Sequence, residues 1–312
     1  MRYFFGVDIG GTSVKTALVT DTGEIKYKQK VDTHANRGFE DMAARLYDTL
    51  LHSCSQVSID VSQVEGVGVG VPAFLDDNQS VIIEAVNLGW TNVPLKQHFS
   101  SVFGLPVVVE NDANVASLGE SWLGAGRDSA NVLCATIGTG VGGGVVINGK
   151  LIRGVTGMAG EVGHLVVKRD GPLCNCGNRG CLETLASATA IVRRAKEFRE
   201  LGRIPQETEL AGAESVFRLA SDGNAAAQEV VDEAADWLGY GLALAATVTN
   251  PGKIVVGGGV SYAGNVLLNP VRKAFAQFSL SRVNEGTDIV LAELGNDAGV
   301  IGAARLAIQS RQ

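Results

Sequence analysis

One short stretch of this chain gathers residues of a kind that hold metal. Cys174, Cys176 and Cys181 crowd into a single loop with Gly177 and Gly180 between them, and His164 precedes them. One imidazole and three thiolates fill the four positions of a tetrahedral zinc site and leave none for water or substrate, so His164, Cys174, Cys176 and Cys181 are expected to hold a structural Zn²⁺. Cys174 and Cys176 are too near in sequence for an easy disulfide, and unligated thiols in a loop would expose oxidisable sulfur to no purpose. Glu161 and Glu183 flank the cluster. At that spacing they serve equally well as solvated charges, but an ion that draws residues 164 and 181 together carries both carboxylates to one small region, suited to accepting hydrogen bonds from hydroxyl groups.

A second kind of chemistry is suggested by two glycine turns between strands, Asp8-Ile9-Gly10-Gly11-Thr12 and Thr136-Ile137-Gly138-Thr139-Gly140. Consecutive backbone N–H groups in such a turn can form a concave nest for phosphate oxygens without any helix. Each turn alone is more simply a hairpin. Their pairing, Asp8 ahead of the first, and the hydroxyls of Thr12 and Thr139 favour a phosphate clamp. Gly138 to Gly143 also satisfies G-x-G-x-x-G, yet that fingerprint must open a helix, and Gly144-Val145-Val146-Ile147 is another strand. Gly144 to Lys150 fits the spacing of a P-loop, but Leu151 stands where a hydroxyl is required, and Asn148-Gly149 reads better as a two-residue hairpin turn.

A third segment, Glu110-Asn111-Asp112-Ala113-Asn114, sits where a strand gives way to a helix. Asn or Asp at such a point is commonly a helix cap. Ligands of open α/β sheets nevertheless bind outside the carboxyl ends of strands, and a carboxylate there can take the proton of an attacking hydroxyl, as phosphoryl transfer requires.

These residues need elements to position them. Tyr3 to Ile9, Ser13 to Thr20 and Ile25 to Val31 read as a meander of strands, Phe39 to Leu51 carries apolar residues at helical spacing, and Val64 to Val71 and Pro106 to Val109 are buried strands. A helix from about Asp112 to Gly119 follows the second of these. The pattern then restarts with Val132 to Ile137, Gly144 to Ile147 and Lys150 to Arg153. Beyond the loop at 164–183 come helices near Ser187 to Leu201 and Ala226 to Thr249, the strand Lys253 to Val256, the triplet Gly257-Gly258-Gly259 and a last helix over Ala298 to Gln309. Strands followed by crossover helices predict an α/β fold, and the restart predicts a duplicated one. The smaller lobe is placed at 1–115, with 298–312 packing back on it, and the larger lobe, carrying the zinc loop, at 116–297, with a cleft between the two.

Composition is consistent with this division, since 312 residues with 46% hydrophobic content usually build two lobes rather than one sphere. A net charge of −7 lacks the basic footprint of a nucleic-acid binder. No apolar run reaches the ~20 residues that span a bilayer, and the start is not a signal peptide, so a cytoplasmic protein is expected. The forty glycines are expected at strand ends, and Cys54 and Cys134 in the core.

In chain order, DIGGT at 8–12, ENDAN at 110–114, IGTGVGGG at 137–144, GEVGH at 160–164 and CNCGNRGCLE at 174–183 resemble the ROK family (repressors, open reading frames and kinases), and within it the glucokinase branch. The resemblance covers essentially the whole chain. It implies an actin-like, ribonuclease H-like fold closing around ATP with Mg²⁺ and a sugar, in a homodimer or homotetramer. It implies that Asp8 places magnesium and phosphates, that Gly10, Gly11, Thr12, Gly138, Thr139 and Gly140 hold the phosphates, and that Gly258 and Gly259 lie near the adenosine. Asn87, Asn111, Asp112, Glu161, His164 and Glu183 would line the sugar pocket, with Asp112 as general base and His164 serving zinc and sugar through its two ring nitrogens. Lys15 stands one strand repeat beyond Ser13, where relatives often carry lysine, and Ala73 occupies a turn position that is glycine in many of them. The reaction implied is phosphorylation of the 6-hydroxyl of a hexose. Glucose is favoured because Asn87-Leu88-Gly89-Trp90 and ENDANVASLGE look like the glucokinase branch. The chief rivals are N-acetylmannosamine and N-acetylglucosamine kinases, and polyphosphate remains open as a donor. Regulators of the family carry an added helix-turn-helix domain before the first strand, whereas here that strand begins within a residue or two of Met1.

Overall fold

The structure, a computed structural model, describes residues 1–311. The chain opens with β1 (Tyr3–Ile9), β2 (Ser13–Thr20) and β3 (Ile25–Asp32), then α1 (Gly38–Gln56) and β4 (Val64–Val71). A small antiparallel sheet follows, made of β5 (Phe74–Leu75), β6 (Ile82–Ala85) and β7 (Trp90–Val93), and then α2 (Leu95–Phe103), β8 (Val107–Asn111) and α3 (Asp112–Trp122). The pattern restarts with β9 (Asn131–Ile137), β10 (Val141–Ile147) and β11 (Lys150–Ile152). Next come α4 (Glu183–Ala186), α5 (Ala188–Glu200), α6 (Ala213–Ser221) and α7 (Ala225–Thr249), and then β12 (Lys253–Gly257), α8 (Asn265–Phe278), α9 (Ser281–Gly286), β13 (Asp288–Leu291) and α10 (Ala298–Gln309).

The duplication is visible strand for strand. β2 pairs antiparallel with β1, which pairs parallel with β4, which pairs parallel with β8. In the second half β10 pairs antiparallel with β9, β9 parallel with β12, and β12 parallel with β13. This is the duplication that the restart predicts, and it agrees with the actin-like fold that the resemblance implies. The strands read from sequence lie within a residue or two of where they are expected, with one larger shift: β10 begins at Val141, so Val141, Gly142 and Gly143 belong to the strand and not to the turn.

Two compact units divide the chain: residues 1–127 with 149–159 and the segment from Asn296 on, and residues 128–148 with 160–295. The restart places a boundary near residue 116, whereas here α3 stays whole in the first unit. The arm at 149–159 also joins that unit, because Gln309 donates through Nε2 to the Gly149 carbonyl at 2.7 Å and β11 packs on α3. The first unit closes over Phe5, Leu18, Leu46, Val69 and Phe99, and the second over Leu133, Phe198, Leu238, Ile254 and Phe275, all fully or almost fully buried. Among the described residues, no helix is long and apolar enough to cross a membrane.

Glycine has a use here beyond strand ends. α10 lies directly on the backbones of β4 and α3: a Cβ on Gly68 would sit 1.7 Å from the Ala303 carbonyl oxygen, and one on Gly302 would sit 1.6 Å from that of Val115. Contacts this short exist only where one partner has no side chain.

Candidate active site

In the first unit, β1 ends beside the turn Gly10-Gly11-Thr12. Thr33 braces this turn, its hydroxyl donating to Gly10 O at 2.6 Å and its N–H to Thr12 O at 3.1 Å. Asp8 pairs across the strands with Lys15. The Lys15 Nζ is 3.9 Å from Asp8 Oδ2 and donates to the Asn296 carbonyl at 3.0 Å. Burial pushes the Asp8 carboxyl up to about 6, against the pull of the Lys15 cation and with a push from the charge of Asp112. The sheet register explains how Asp112 comes so near, because Asp8 lies beside Gly70 and Gly70 beside Glu110, one row across the strand ends. Asn87 is brought to the same place, its Cβ 3.7 Å from where a Gly11 Cβ would be.

The start of α3 separates two roles that the sequence left merged. Asn111 is the cap, its Oδ1 accepting from the N–H groups of Ala113 at 2.9 Å and Asn114 at 3.3 Å. Asp112 is therefore the first helical residue, with Oδ1 accepting from Ala113 N at 2.9 Å. Burial raises its carboxyl above the usual range while the Ala113 N–H opposes the rise. A carboxylate of raised proton affinity is what a general base near neutral pH requires. Asn111 Nδ2 reaches the Ala73 carbonyl at 3.5 Å, and Ala73 is not among the residues with positive φ, so a side chain there costs the turn nothing.

In the second unit, the turn Gly138-Thr139-Gly140 is tied to the head of α5. Ala188 N donates to Gly138 O at 2.9 Å and Thr189 Oγ1 to Thr139 O at 2.8 Å. The positive end of that helix thus faces the turn, a setting that favours anions. Gly258, at φ 83°, lies against the Ile137 backbone, which brings the glycines after β12 to the end of β9, while Gly259 faces open space. Glu183 opens α4, and its Oε2 accepts from Val141 N at 3.1 Å. A Cβ on Gly140 would come 2.0 Å from that oxygen, so a side chain there would displace the carboxylate from Val141 N.

The ligating atoms of His164, Cys174, Cys176 and Cys181 all lie within 4.8 Å of one another. Cys174 Sγ is 3.6 Å from His164 Nδ1, and Cys176 Sγ is 3.6 Å from Cys181 Sγ. A tetrahedron of Zn–S bonds near 2.3 Å has S···S edges of about 3.8 Å, so the four atoms fit that ion. Burial pushes the Cys174 thiol up and the Cys181 thiol to about 12, and a bound cation is what would ionise both. Nδ1 of His164 faces the sulfurs, which leaves Nε2 for a second partner. The same cluster touches Glu183, whose Oε1 accepts from Cys174 Sγ at 3.6 Å. Glu161 precedes the single turn at 162–164, and its carbonyl accepts from His164 N at 3.0 Å. That turn lies on β10 because Gly163 lacks a Cβ, which would stand 1.9 Å from the Val141 carbonyl oxygen. The glycine run in β10 is thus partly a seat for residues 160–164.

Sequence reasoning missed one pair. Glu110 is only 2% exposed, and its carboxylate takes Asn111 N at 2.9 Å, Asn114 Nδ2 at 3.0 Å and the Arg153 guanidinium. A carboxylate buried in a motif needs a cation, and that requirement was the available signal; what sequence could not supply was that Arg153, at the end of β11, is the cation.

The profile of the ROK family matches residues 4–310. A glucokinase from Halalkalibacterium halodurans is 44% identical over 99% of this chain and 96% of its own length. One from Thermotoga maritima is 37% identical over 96% of each. Among solved structures, a ROK family glucokinase from Streptomyces griseus in complex with glucose and AMPPNP is 37% identical, with a TM-score of 0.77 over 98% of this chain and 99% of that one. A family match from end to end, with every motif in order on the duplicated fold, makes this chain a member of the ROK family.

Proposed function

We propose that the protein has glucokinase activity, transferring the γ-phosphoryl group of ATP to the 6-hydroxyl of glucose, with Asp112 as general base. The observation that carries the reading is the state of Asp112: it stands outside the helix cap and is raised in proton affinity by burial, beside Asp8 and the first glycine turn. A base so placed takes the proton of the attacking hydroxyl as its oxygen bonds to the γ-phosphorus and the bond from that phosphorus to the bridging oxygen breaks, ADP leaving. The likeness over full length to two bacterial glucokinases, and to one solved with glucose and AMPPNP, supports glucose and an adenine nucleotide as the substrate pair.

On this reading, Gly10, Gly11, Thr12 and Lys15 hold phosphates in the first unit, and Gly138, Thr139 and Gly140 hold them in the second, with Gly258 and Gly259 by the adenosine. Magnesium on the nucleotide neutralises phosphate charge when bound, and Asp8 is the carboxylate that would hold it. The sugar is met by Asn87, Asn111, Asp112, Glu161, His164 and Glu183. Zinc on His164, Cys174, Cys176 and Cys181 is structural. Its chemistry also suits the sugar: a Cys174 thiolate no longer donates to Glu183, which releases Oε1 to accept from a hydroxyl. We further place the enzyme in the cytoplasm as a homodimer or homotetramer.

The test is a side-by-side assay of glucose, N-acetylglucosamine and N-acetylmannosamine with MgATP. Glucose is expected to have a kcat/KM at least ~10-fold above either acetylated sugar, about 1.4 kcal/mol of differential transition-state binding. Preference for an acetylated sugar overturns glucose and leaves the kinase standing; no transfer to any of them overturns both.

A further inference from the structure

The ion pair of Glu110 and Arg153 is more than a neutralised buried charge, because of what the carboxylate holds. One of its oxygens accepts from Asn111 N at 2.9 Å and from Asn114 Nδ2 at 3.0 Å. These donors bracket the first turn of α3, the turn that carries the cap Asn111 and the base Asp112. The other oxygen receives Arg153 Nε. Arg153 is itself held: Ala159 N donates to its carbonyl at 3.0 Å, β11 packs on α3, and Gln309 fastens Gly149 at the start of the arm. The guanidinium therefore approaches Glu110 from a fixed backbone, in the charge-assisted form that is short and directional.

We propose that Arg153 is a positioning residue for the general base: through Glu110 it fixes the turn Asn111–Asn114 from which Asp112 presents its carboxylate. A buried carboxylate that loses its cation turns toward water. That movement withdraws Oε1 from Asn111 N and Asn114 Nδ2, and the turn is then free to move. A base displaced by a fraction of an ångström loses rate while substrate binding survives. The inference rests on the reading of Asp112 as the base, and the test separates the two.

The experiment compares Arg153→Ala, Arg153→Lys and Asp112→Asn with the parent enzyme, measuring kcat and the KM values for glucose and ATP, each with and without added guanidinium chloride at low millimolar concentration. Arg153→Ala is expected to lower kcat by ~10–100-fold with both KM values within ~3-fold, and guanidinium to restore a good part of kcat in that variant alone, since the Arg153 side chain is 33% exposed and the vacated space is reachable. Arg153→Lys, which keeps the charge but not the planar fork, is expected to lose at least ~5-fold in kcat. Asp112→Asn is expected to lose ~10²–10⁴-fold and to be unmoved by guanidinium. A parental kcat in Arg153→Ala overturns the proposal, as does a loss that appears in KM instead of kcat or that guanidinium leaves unchanged. Should Arg153→Ala fail to fold, Arg153→Lys decides, parental turnover counting against the proposal and reduced turnover at parental KM for it. Near-parental turnover in Asp112→Asn instead removes Asp112 as the base, whatever Arg153 does.

Discussion

Asp8 carries a charge that the fold resists. Its carboxyl titrates at about 6 in the folded protein against 3.8 for an ordinary aspartate, with burial as the main cause. The folded state therefore keeps a proton that the unfolded chain has already lost between those values. The stabilisation this brings is fully present below pH 3.8 and disappears as pH rises through about 6. The side chain is 18% exposed, so little is lost to solvent screening, and the shift corresponds to roughly 3 kcal/mol as an upper figure. Asp8→Asn removes the titration while preserving shape. In metal-free buffer that variant should match the parent near pH 4 and exceed it by ~1–3 kcal/mol at pH 7, with activity nearly gone. Thermal or urea unfolding of both proteins across this range measures the difference, in which titrating groups remote from Asp8 cancel. Parallel curves at all pH values would mean that the buried charge is met by something else. On the proposed reading of Asp8 as the magnesium and phosphate carboxylate, this cost in stability belongs to the site, a common pattern at functional positions.

The elements were legible where their cause is local. Val64 to Val71 is a run of valine and glycine broken only by Glu65 and bounded by Pro72, and it is β4 to the residue; Ala298 to Gln309 is α10 to the residue. The metal cluster was legible for the same reason, since ligand type and spacing lie in one stretch of chain. The sheet β5–β7 was not, because strands of two to four residues are too short to show alternation. Arg153 was illegible because its partner is 43 residues away and nothing in either neighbourhood names the other. Gly163 is an intermediate case, placed in a recognised motif but with a reason that needed three dimensions. Its missing Cβ lets the turn bearing His164 rest on β10. Gly163→Ala should therefore lift that turn. We expect zinc to fall from about one per chain to well below one, the KM for glucose to rise at least ~10-fold, and the KM for ATP to stay within ~3-fold. Elemental analysis and steady-state kinetics of the purified variant decide this, and full zinc with an unchanged glucose KM would show that β10 yields locally.

At the scale of the whole molecule, the chain enters each unit more than once. The first unit is built from residues 1–127, the arm at 149–159 and α10, whereas most of the second lies between that arm and α10. α10 is no ornament to the first unit, since it lies on the bare backbones of β4 and α3 and buries Val300, Ile301, Leu306 and Ile308. Seen from the ribosome, this has a temporal meaning. Domains commonly mature in the order they are made, but here the earlier-made half waits for a helix that leaves the exit tunnel after residues 160–295. On that order the strands of the first half would persist meanwhile with the backbone at Gly68 and Gly119 uncovered, a species suited to chaperone capture. A chain stopped after Gly295 should thus show residues 128–295 resistant to protease and residues 1–127 cleaved, and adding back a peptide of 296–312 should restore protection to the latter. Protection of residues 1–127 without that peptide would show that the half synthesised first is also the half that folds first.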